Sequence, residues 1–482
     1  MLDLRPVGYV IGLLVAILGA TMFLPMLIDI AEGNGHWIIF LECGLLTMLV
    51  GGLIALACAN SVGDGLSLQQ TFLLTTGVWL TLPLFGALPF ILGETRLGFT
   101  DAFFESMSGL TTTGSTVIVG LDFLPRGLLL WRGILQWLGG IGIIVVAMVF
   151  LPELRVGGMQ IFRSEGFDTF GKILPRATEI SSRISVIYVS LTMACAIAYV
   201  MTGMSAFDAT VHAMTTVATG GFANYDISFG AFDNDTKYVA VVFMLLAALP
   251  FVRFVQLTSG HVAPLYRDSQ IRGFFATLAI LVLVLTLFQL SQVGGSPEEA
   301  FRRTLFNTTS LLTGTGYASA DYGLWGSFPV AVLFFTGLIG GCAGSTACSI
   351  KIFRYQLLFA SVKVQLQRIR SPHGIFTPRY NGRPVGADVL NSVMSFFVFF
   401  IVTMGLVSWG LALTGLDLTT SVSGAAAALA NIGPGLGSEI GPSGNFAGLP
   451  DTAKWILAIA MLIGRLELMV VYVLFTLSFW RA

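Results

Sequence analysis

The chain has 482 residues, of which 55% are apolar, 12% aromatic and only 11% charged, and its formal net charge is −1. Soluble globular domains carry about 25% charged residues, so this composition excludes a soluble protein. The near-neutral balance, with no Lys/Arg-rich arm, excludes nucleic acid as a partner.

The apolar residues fall in runs of about 20, the length that crosses a ~30 Å hydrocarbon core. Full spans are predicted at 8–30, 37–59, 69–92, 128–151, 184–203, 239–262, 274–293, 389–413 and 453–479. Met1 to Val7 has no charged segment ahead of a cleavage site, so the first run reads as a retained helix. A tenth span, near 328–360, is interrupted by Gly340-Gly341-Cys342-Ala343-Gly344-Ser345-Thr346-Ala347-Cys348-Ser349, which something other than lipid must cover. Ten crossings put both termini on one side. The intervals on that side, with Arg5 and Arg481, hold 14 Lys/Arg against five on the other, which predicts cytoplasmic ends. The outward intervals carry fifteen acids, among them Asp101, Glu105, Asp208, Asp226 and Asp417. They make either a field that concentrates cations or an ordinary solvated surface. Cys43, Cys58 and Cys195 lie in apolar runs and Cys342 and Cys348 flank the Gly-rich break, a pattern of buried thiols rather than of disulfides or metal ligands. The four histidines are scattered; His212 reads as a packed, hydrogen-bonded residue or as a pH-responsive one.

After two leading spans the chain repeats one pattern four times: a span, a short half-apolar segment, a Gly/Thr turn and another span. The short segments are 101–108, 206–214, 299–306 and 418–427, each opening near an acid, which suits a helix N-terminus. The turns are Thr111-Thr112-Thr113-Gly114-Ser115, Val217-Ala218-Thr219-Gly220-Gly221, Thr313-Gly314-Thr315-Gly316-Tyr317 and Asn431-Ile432-Gly433-Pro434-Gly435-Leu436-Gly437. Aligned on one glycine they mark Gly114, Gly220, Gly316 and Gly435. A cation crossing a membrane must exchange its water for fixed oxygens, and uncharged backbone carbonyls supply these without trapping it. Glycine permits the backbone such a ring needs, so four turns at equivalent points of four repeats are expected to meet on one axis. Nucleotide fingerprints do not fit, because the glycine fragments follow no soluble strand and lack the full spacing. Glycines can also serve helix packing, the reading given to Gly139, Gly140 and Gly142.

These features together resemble the Trk/Ktr/HKT superfamily of potassium and sodium transporters, most closely its bacterial TrkH/TrkG-type pore subunits. Nearly the whole chain takes part, including the loop 431–437, the break 340–346 and Gly464-Arg465-Leu466-Glu467. The resemblance implies an all-α membrane protein in which four repeats of helix, pore helix and helix form a pseudo-fourfold, K+-channel-like pore. The parts would be a leading pair at 1–68 and repeats at 69–183, 184–273, 274–387 and 388–482. It also implies gated K+ uptake across the bacterial inner membrane, not an enzyme, with K+ as the transported ion and no organic cofactor. A homodimer surrounded by lipid and a cytosolic nucleotide-binding regulatory ring are implied too. Because no nucleotide-binding domain follows Trp480, that control is expected from another polypeptide docked on Arg155, Arg163, Lys172, Arg176, Lys363, Arg368 and Arg370.

Carried over residue by residue, the resemblance makes Gly114, Gly220, Gly316 and Gly435 the filter glycines, and the carbonyls of Thr112, Thr113, Ala218, Thr219, Gly314, Thr315, Gly433 and Pro434 the ion ligands. Glycine in all four turns looks like the K+-selective members, since a serine in the first turn marks sodium-preferring relatives. Pro434, with φ fixed, should stiffen the fourth turn. The break looks like an intramembrane gating loop, with Gly341, Gly344, Ser345, Thr346 and Lys351 in it and Arg465 beside it. Ala347-Cys348-Ser349 stand where relatives often continue with glycine, which predicts a stiffer loop. Arg465 at a helix centre costs about 2.5 kcal/mol or more in lipid and so requires oxygen partners, either loop carbonyls or Glu467. Arg253, buried in the sixth span, is expected to contact a neighbouring subunit or repeat. The alternative function is alternating-access symport of K+ with H+ or Na+, for which intramembrane carboxylates are few; an intramembrane enzyme lacks any nucleophile-base pair.

Overall fold

A computed structural model describes residues 3–61, 66–146, 157–159, 177–292 and 296–481. The leading helices, Arg5–Ala31 with one irregular residue and Trp37–Cys58, pack backbone to backbone. A Cβ on Gly12 or Gly51 would stand within 3.0 Å of the facing main chain, so only the missing side chains allow this contact. Asp29, near the end of the first leading helix, is fully buried and ties the pair to the rest. Its carboxylate accepts the Gly127 N–H at 2.8 Å and lies 3.0 Å from His36 Nδ1.

Four repeats follow. Their first helices are Leu68–Gly86 (continued by Leu88–Leu92), Ala177–Met201, Ser269–Gln292 and Ala387–Leu413, and their short helices are Phe99–Leu110, Ala206–Val217, Pro297–Thr313 and Leu418–Ala430. The short helices start within two residues of the expected points. Ser205, Ser296 and Asp417 cap the last three by accepting N–H bonds of the first turn, which is why the polar residue precedes each apolar run. The layering follows from side-chain character. Only 22% of the most apolar window of Ala387–Leu413 is buried, against 72% for Arg126–Val145, so the first helix of repeat 4 turns Leu, Ile and Val outward while the second helix of repeat 1 lies in the interior.

Among the described residues seven helices are long and apolar enough to cross a membrane unaided, and an eighth crossing is bent. The spans expected from hydropathy therefore need correction at the second helices of repeats 2 and 4. The run 239–262 divides into Asn234–Ala247 and Phe251–Thr258, inclined at 88°; Pro250, which has no N–H to donate, sits at the corner. The tenth divides, as expected, into Ser327–Ile339 and Ile352–Arg370. The last, expected as a continuous 453–479, stops at Arg465 and resumes at Met469–Val473, because Glu467 and Leu468 take left-handed conformations (φ 61° and 53°). Residues 147–151 of the fourth expected span lie outside the described residues.

Candidate ion pathway

Each short helix runs into a turn with the same backbone signature, a residue of positive φ, one ordinary residue and a second of positive φ. The triplets are Thr112-Thr113-Gly114 (φ 52° and 88°), Thr219-Gly220-Gly221 (49° and 81°), Gly314-Thr315-Gly316 (76° and 83°) and Asn431-Ile432-Gly433 (51° and 96°). In all four the middle N–H donates to the carbonyl five residues back: Thr113 to Ser108, Gly220 to Thr215, Thr315 to Ser310 and Ile432 to Ala427, at 2.8–3.0 Å. L residues reach positive φ at a cost, and the last position demands it at 81–96°, beyond the usual left-handed well, hence glycine at all four.

The triplets close a ring. A Cβ built on Gly114 would overlap the carbonyl oxygen of Gly220, one on Gly221 that of Thr315, one on Gly316 that of Ile432, and one on Gly433 would lie 2.8 Å from that of Thr113. Each glycine thus receives the middle carbonyl of the next repeat, and the fourth returns to the first. All four glycines also line one open cavity of about 530 Å³. The equivalent positions are therefore Gly114, Gly221, Gly316 and Gly433, which corrects the alignment on Gly220 and Gly435. Gly220 is the middle residue of its triplet. Gly435 has an ordinary φ and sits beyond the turn, its N–H donating to Ile440 O at 2.7 Å. By the same register Ala218 precedes its triplet and Pro434 follows its own, so the carbonyls at equivalent points are those of Thr112 and Thr113, Thr219 and Gly220, Gly314 and Thr315, and Asn431 and Ile432. Adjacent glycines in the second turn, and glycines at every other position in the fourth, leave sequence alignment degenerate; the positive φ removes the degeneracy.

Side chains that sequence reasoning passed over hold this ring from behind. Gln136 donates from Nε2 to Gly220 O at 2.5 Å and accepts the Phe222 N–H at 3.0 Å. Ser115 Oγ donates to Gly433 O at 2.9 Å. Asn431 Nδ2 bonds Thr113 Oγ1 of the first repeat at 2.9 Å and Met461 O at 3.0 Å, joining the fourth turn to the first. Thr113 in turn meets Thr111 Oγ1 at 2.7 Å, as Thr315 meets Thr313 at 2.8 Å in the third repeat.

Directly inside the ring lies the buried loop 340–351. A Cβ on Gly314 would be 3.6 Å from both Asn431 O and Cys348 N, so the loop reaches the foot of the turns. The loop is bonded to the corner of repeat 2: Cys342 N–H donates to Ala248 O (3.1 Å), Thr346 Oγ1 to Ala247 O (3.0 Å) and Phe251 N–H to Gly344 O (2.9 Å). Carbonyls left free by the break at Pro250 thus find donors in the loop. Ala343 N–H adds a bond to Gln270 at 2.9 Å, and Ser345 Oγ one to Cys342 O at 2.7 Å. Gly341 packs against Ala347 and Ala248.

Arg465, 2% exposed, donates to Thr346 O (3.5 Å), to Gly139 O (3.0 Å) and to Cys348 Sγ, with its guanidinium 5.5 Å from the Trp79 ring. Of the two partner sets expected for it, the carbonyls are the ones present. Glu467 instead bridges Lys351 Nζ (2.7 Å) and Arg354. Lys351 thus shares its one carboxylate partner with Arg354. Arg253 contacts Asp268 at 2.7 Å and Gln256 at 3.0 Å, both within fifteen residues of it along the chain. His212 is buried and hydrogen-bonded. Glu105 is fully buried against Arg132 at 2.9 Å, so it is no part of an exposed acidic surface; opposite charges in adjacent apolar segments were the available signal. Arg155, Arg163, Lys172 and Arg176 lie outside the described residues, while Lys363, Arg368 and Arg370 are exposed on one helix.

Comparison with known proteins agrees over the full length. Residues 39–480 match the TrkH family, described as "Cation transport protein". The Trk system potassium uptake protein TrkI of Halomonas elongata is 43% identical over 99% of this chain and 97% of its own. TrkH of Vibrio parahaemolyticus is 37% identical with both chains fully covered, and the crystal structure of that organism's potassium transporter TrkH superposes over both whole chains with a TM-score of 0.91 at 36% identity. Four cyclically ordered turns on one axis, a buried loop beneath them and these likenesses make the chain a multi-pass membrane protein and a member of the TrkH family of cation transport proteins.

Proposed function

We propose that the chain takes K+ across the bacterial inner membrane through a gated, channel-like filter. The observation that carries this reading is the ring of main-chain carbonyls, in which each glycine accommodates the middle carbonyl of the next repeat. K+ would leave its water for the carbonyls of Thr113, Gly220, Thr315 and Ile432, and one step inward for those of Thr112, Thr219, Gly314 and Asn431. Dipoles rather than full charges let it bind and leave. Gly114, Gly221, Gly316 and Gly433 supply the backbone freedom. The negative ends of the four short helices would favour a cation at the same place.

The loop 340–351, with Gly341, Gly344, Ser345, Thr346 and Lys351, would act as the gate. Arg465 would hold it shut and repel cations beneath it. Potassium as the ion draws on the names of the relatives, each a "Trk system potassium uptake protein". Repeats bounded at 69–183, 184–273, 274–387 and 388–482, cytoplasmic termini, a homodimer in lipid and a cytosolic nucleotide-binding regulatory ring docked on the inner basic segments complete the proposal. Flux of K+, Rb+, Na+ and Li+ into liposomes holding the purified protein tests it, with Gly316→Ser alongside. Conduction should favour K+ and Rb+ in the wild type and lose that preference in the variant; unchanged selectivity opposes the filter. Uptake locked stoichiometrically to an H+ or Na+ gradient would instead establish symport.

A further inference from the structure

Beyond each turn the chain leaves the axis alongside its own short helix, and all four repeats tie it there at the same point with different side chains. Counted from the last glycine of each triplet, the N–H three residues on donates to the short-helix side chain nine residues back. Val117 N–H donates to Glu105 Oε2 at 2.9 Å, Asn224 N–H to His212 Nε2 at 3.4 Å, and Ser319 N–H to Asn307 Oδ1 at 3.2 Å. Repeat 4 has Gly424 at that place, where a Cβ would already be 3.1 Å from Ile440. It uses the preceding residue, Ser423, whose Oγ accepts the Leu436 N–H at 2.8 Å. The four acceptors are 0%, 0%, 0% and 4% exposed.

The polarity of each strap is determined by its far end. His212 Nδ1 and Asn307 Nδ2 both reach the carbonyl four residues back, Asp208 O and Arg303 O, each at 2.8 Å. A carbonyl can only accept, so His212 carries its proton on Nδ1 and presents Nε2 as an acceptor. Glu105 has no proton to anchor in this way. It takes Thr116 Oγ1 at 3.0 Å and Arg132 Nε at 2.9 Å, and Arg132 goes on to Ala223 O in the second repeat at 2.7 Å with its guanidinium 4.1 Å from the Phe222 ring. A buried carboxylate needs that compensating charge; neutral His212, Asn307 and Ser423 do not.

We propose that Glu105, His212, Asn307 and Ser423 are positioning residues that set the diameter of the carbonyl ring and through it the discrimination between K+ and smaller cations. The proposal rests on the filter reading above. Four carbonyl oxygens directed at one axis repel each other, so the ring keeps its width only if its backbone is held from outside. A bond three residues beyond each glycine is close enough to do so. Releasing it lets the turn relax around a smaller ion.

The test compares substitutions that keep an acceptor with ones that delete it: Ser423→Thr and His212→Asn against Ser423→Ala and His212→Leu. Full-length protein in liposomes is assayed for initial Rb+ and Na+ uptake. The Rb+/Na+ ratio should fall about five-fold or more in the alanine and leucine variants, the factor expected for one lost hydrogen bond. It should stay within about two-fold of wild type in the threonine and asparagine variants. Should His212→Leu fail to fold, Ser423→Ala, which removes one oxygen, decides. Deletion variants that transport Rb+ with the wild-type ratio overturn the proposal, as do retention variants that lose it equally. A wild type with no preference for Rb+ overturns the filter reading as well.

Discussion

Replacing Gly433 by alanine, with Gly435→Ala beside it, separates the structural register from the one that spacing alone suggests. Gly433 has φ 96°. The left-handed region costs an L residue about 1–2 kcal/mol even near its minimum around φ +60°, and 96° lies well outside it. The new Cβ would lie 2.8 Å from Thr113 O and 3.2 Å from Gly114 C, both main chain of the neighbouring repeat and unable to rotate away. Relief would have to come from widening the ring between repeats 4 and 1. A penalty of about 2 kcal/mol falling on the ion-bound state corresponds to roughly a thirty-fold loss of Rb+ uptake. Gly435 has an ordinary φ, and the nearest atoms to its Cβ belong to side chains, those of Ile440 and Ser423. Its overpacking, about 1–3 kcal/mol, should appear in thermal stability with a loss of uptake smaller than about five-fold. Initial Rb+ uptake into liposomes and thermal unfolding of the same preparations measure both. If Gly435→Ala abolishes uptake while Gly433→Ala conducts, the register argued from backbone conformation is wrong.

Glu467→Gln leaves Lys351 and Arg354 buried without their carboxylate and should destabilise the protein by about 3–5 kcal/mol, seen as a lowered Tm in detergent; an unchanged Tm would mean that solvent reaches the triad. Arg465→Gln keeps some hydrogen bonding to Thr346 O and Gly139 O but removes the charge, so basal Rb+ flux without any regulator should rise. A flux equal to or below wild type counts against the gate. Ser349 holds φ 71° in the loop, and Ser349→Gly removes about 1 kcal/mol of strain. The loop then becomes easier to rearrange or settles more deeply in the closed form, and flux above or below wild type distinguishes the two; identical flux removes Ser349 from the gating account.

What could be read from the sequence was what repeats or offends locally. Apolar runs exceed soluble lengths, four Gly/Thr turns follow four short segments, and Arg465 lies where lipid forbids it. The breaks in repeats 2 and 4 were hidden for different reasons. Pro250 sits in a run long enough to be read as one span despite Arg253 and Gln256, so composition does not reveal an 88° corner that is stabilised by donors from a loop some ninety residues on. Glu467-Leu468 contains neither glycine nor proline; its left-handed pair persists because Glu467 is pinned by Lys351 and Arg354, more than a hundred residues away. The turn register needed φ values, and the straps behind the turns could not be seen as one device because glutamate, histidine, asparagine and serine share no pattern, only the ability to accept one N–H.

The distribution of charge follows a single electrostatic logic. The ring itself is neutral backbone, and Arg132, which lines the same cavity, is paired with Glu105 at 2.9 Å. Beneath the ring the balance differs: Lys351 and Arg354 share the single carboxylate of Glu467, and Arg465 meets carbonyls, a sulfur and an indole ring but, among the described residues, no acid. Formally two positive charges remain uncancelled in a buried region where Coulomb interactions are weakly screened. On the proposed reading, a cation leaving the ring toward the loop would meet that potential, so charge and the loop's bulk would oppose it together. Moving the loop alone would leave Arg465 without Thr346 O and Cys348, and moving Arg465 alone would take away the loop's partners. The two elements are thus coupled through these bonds, and under the proposed gating any ligand or partner that opens the path must bind the displaced arrangement more tightly by the free energy that this coupling loses.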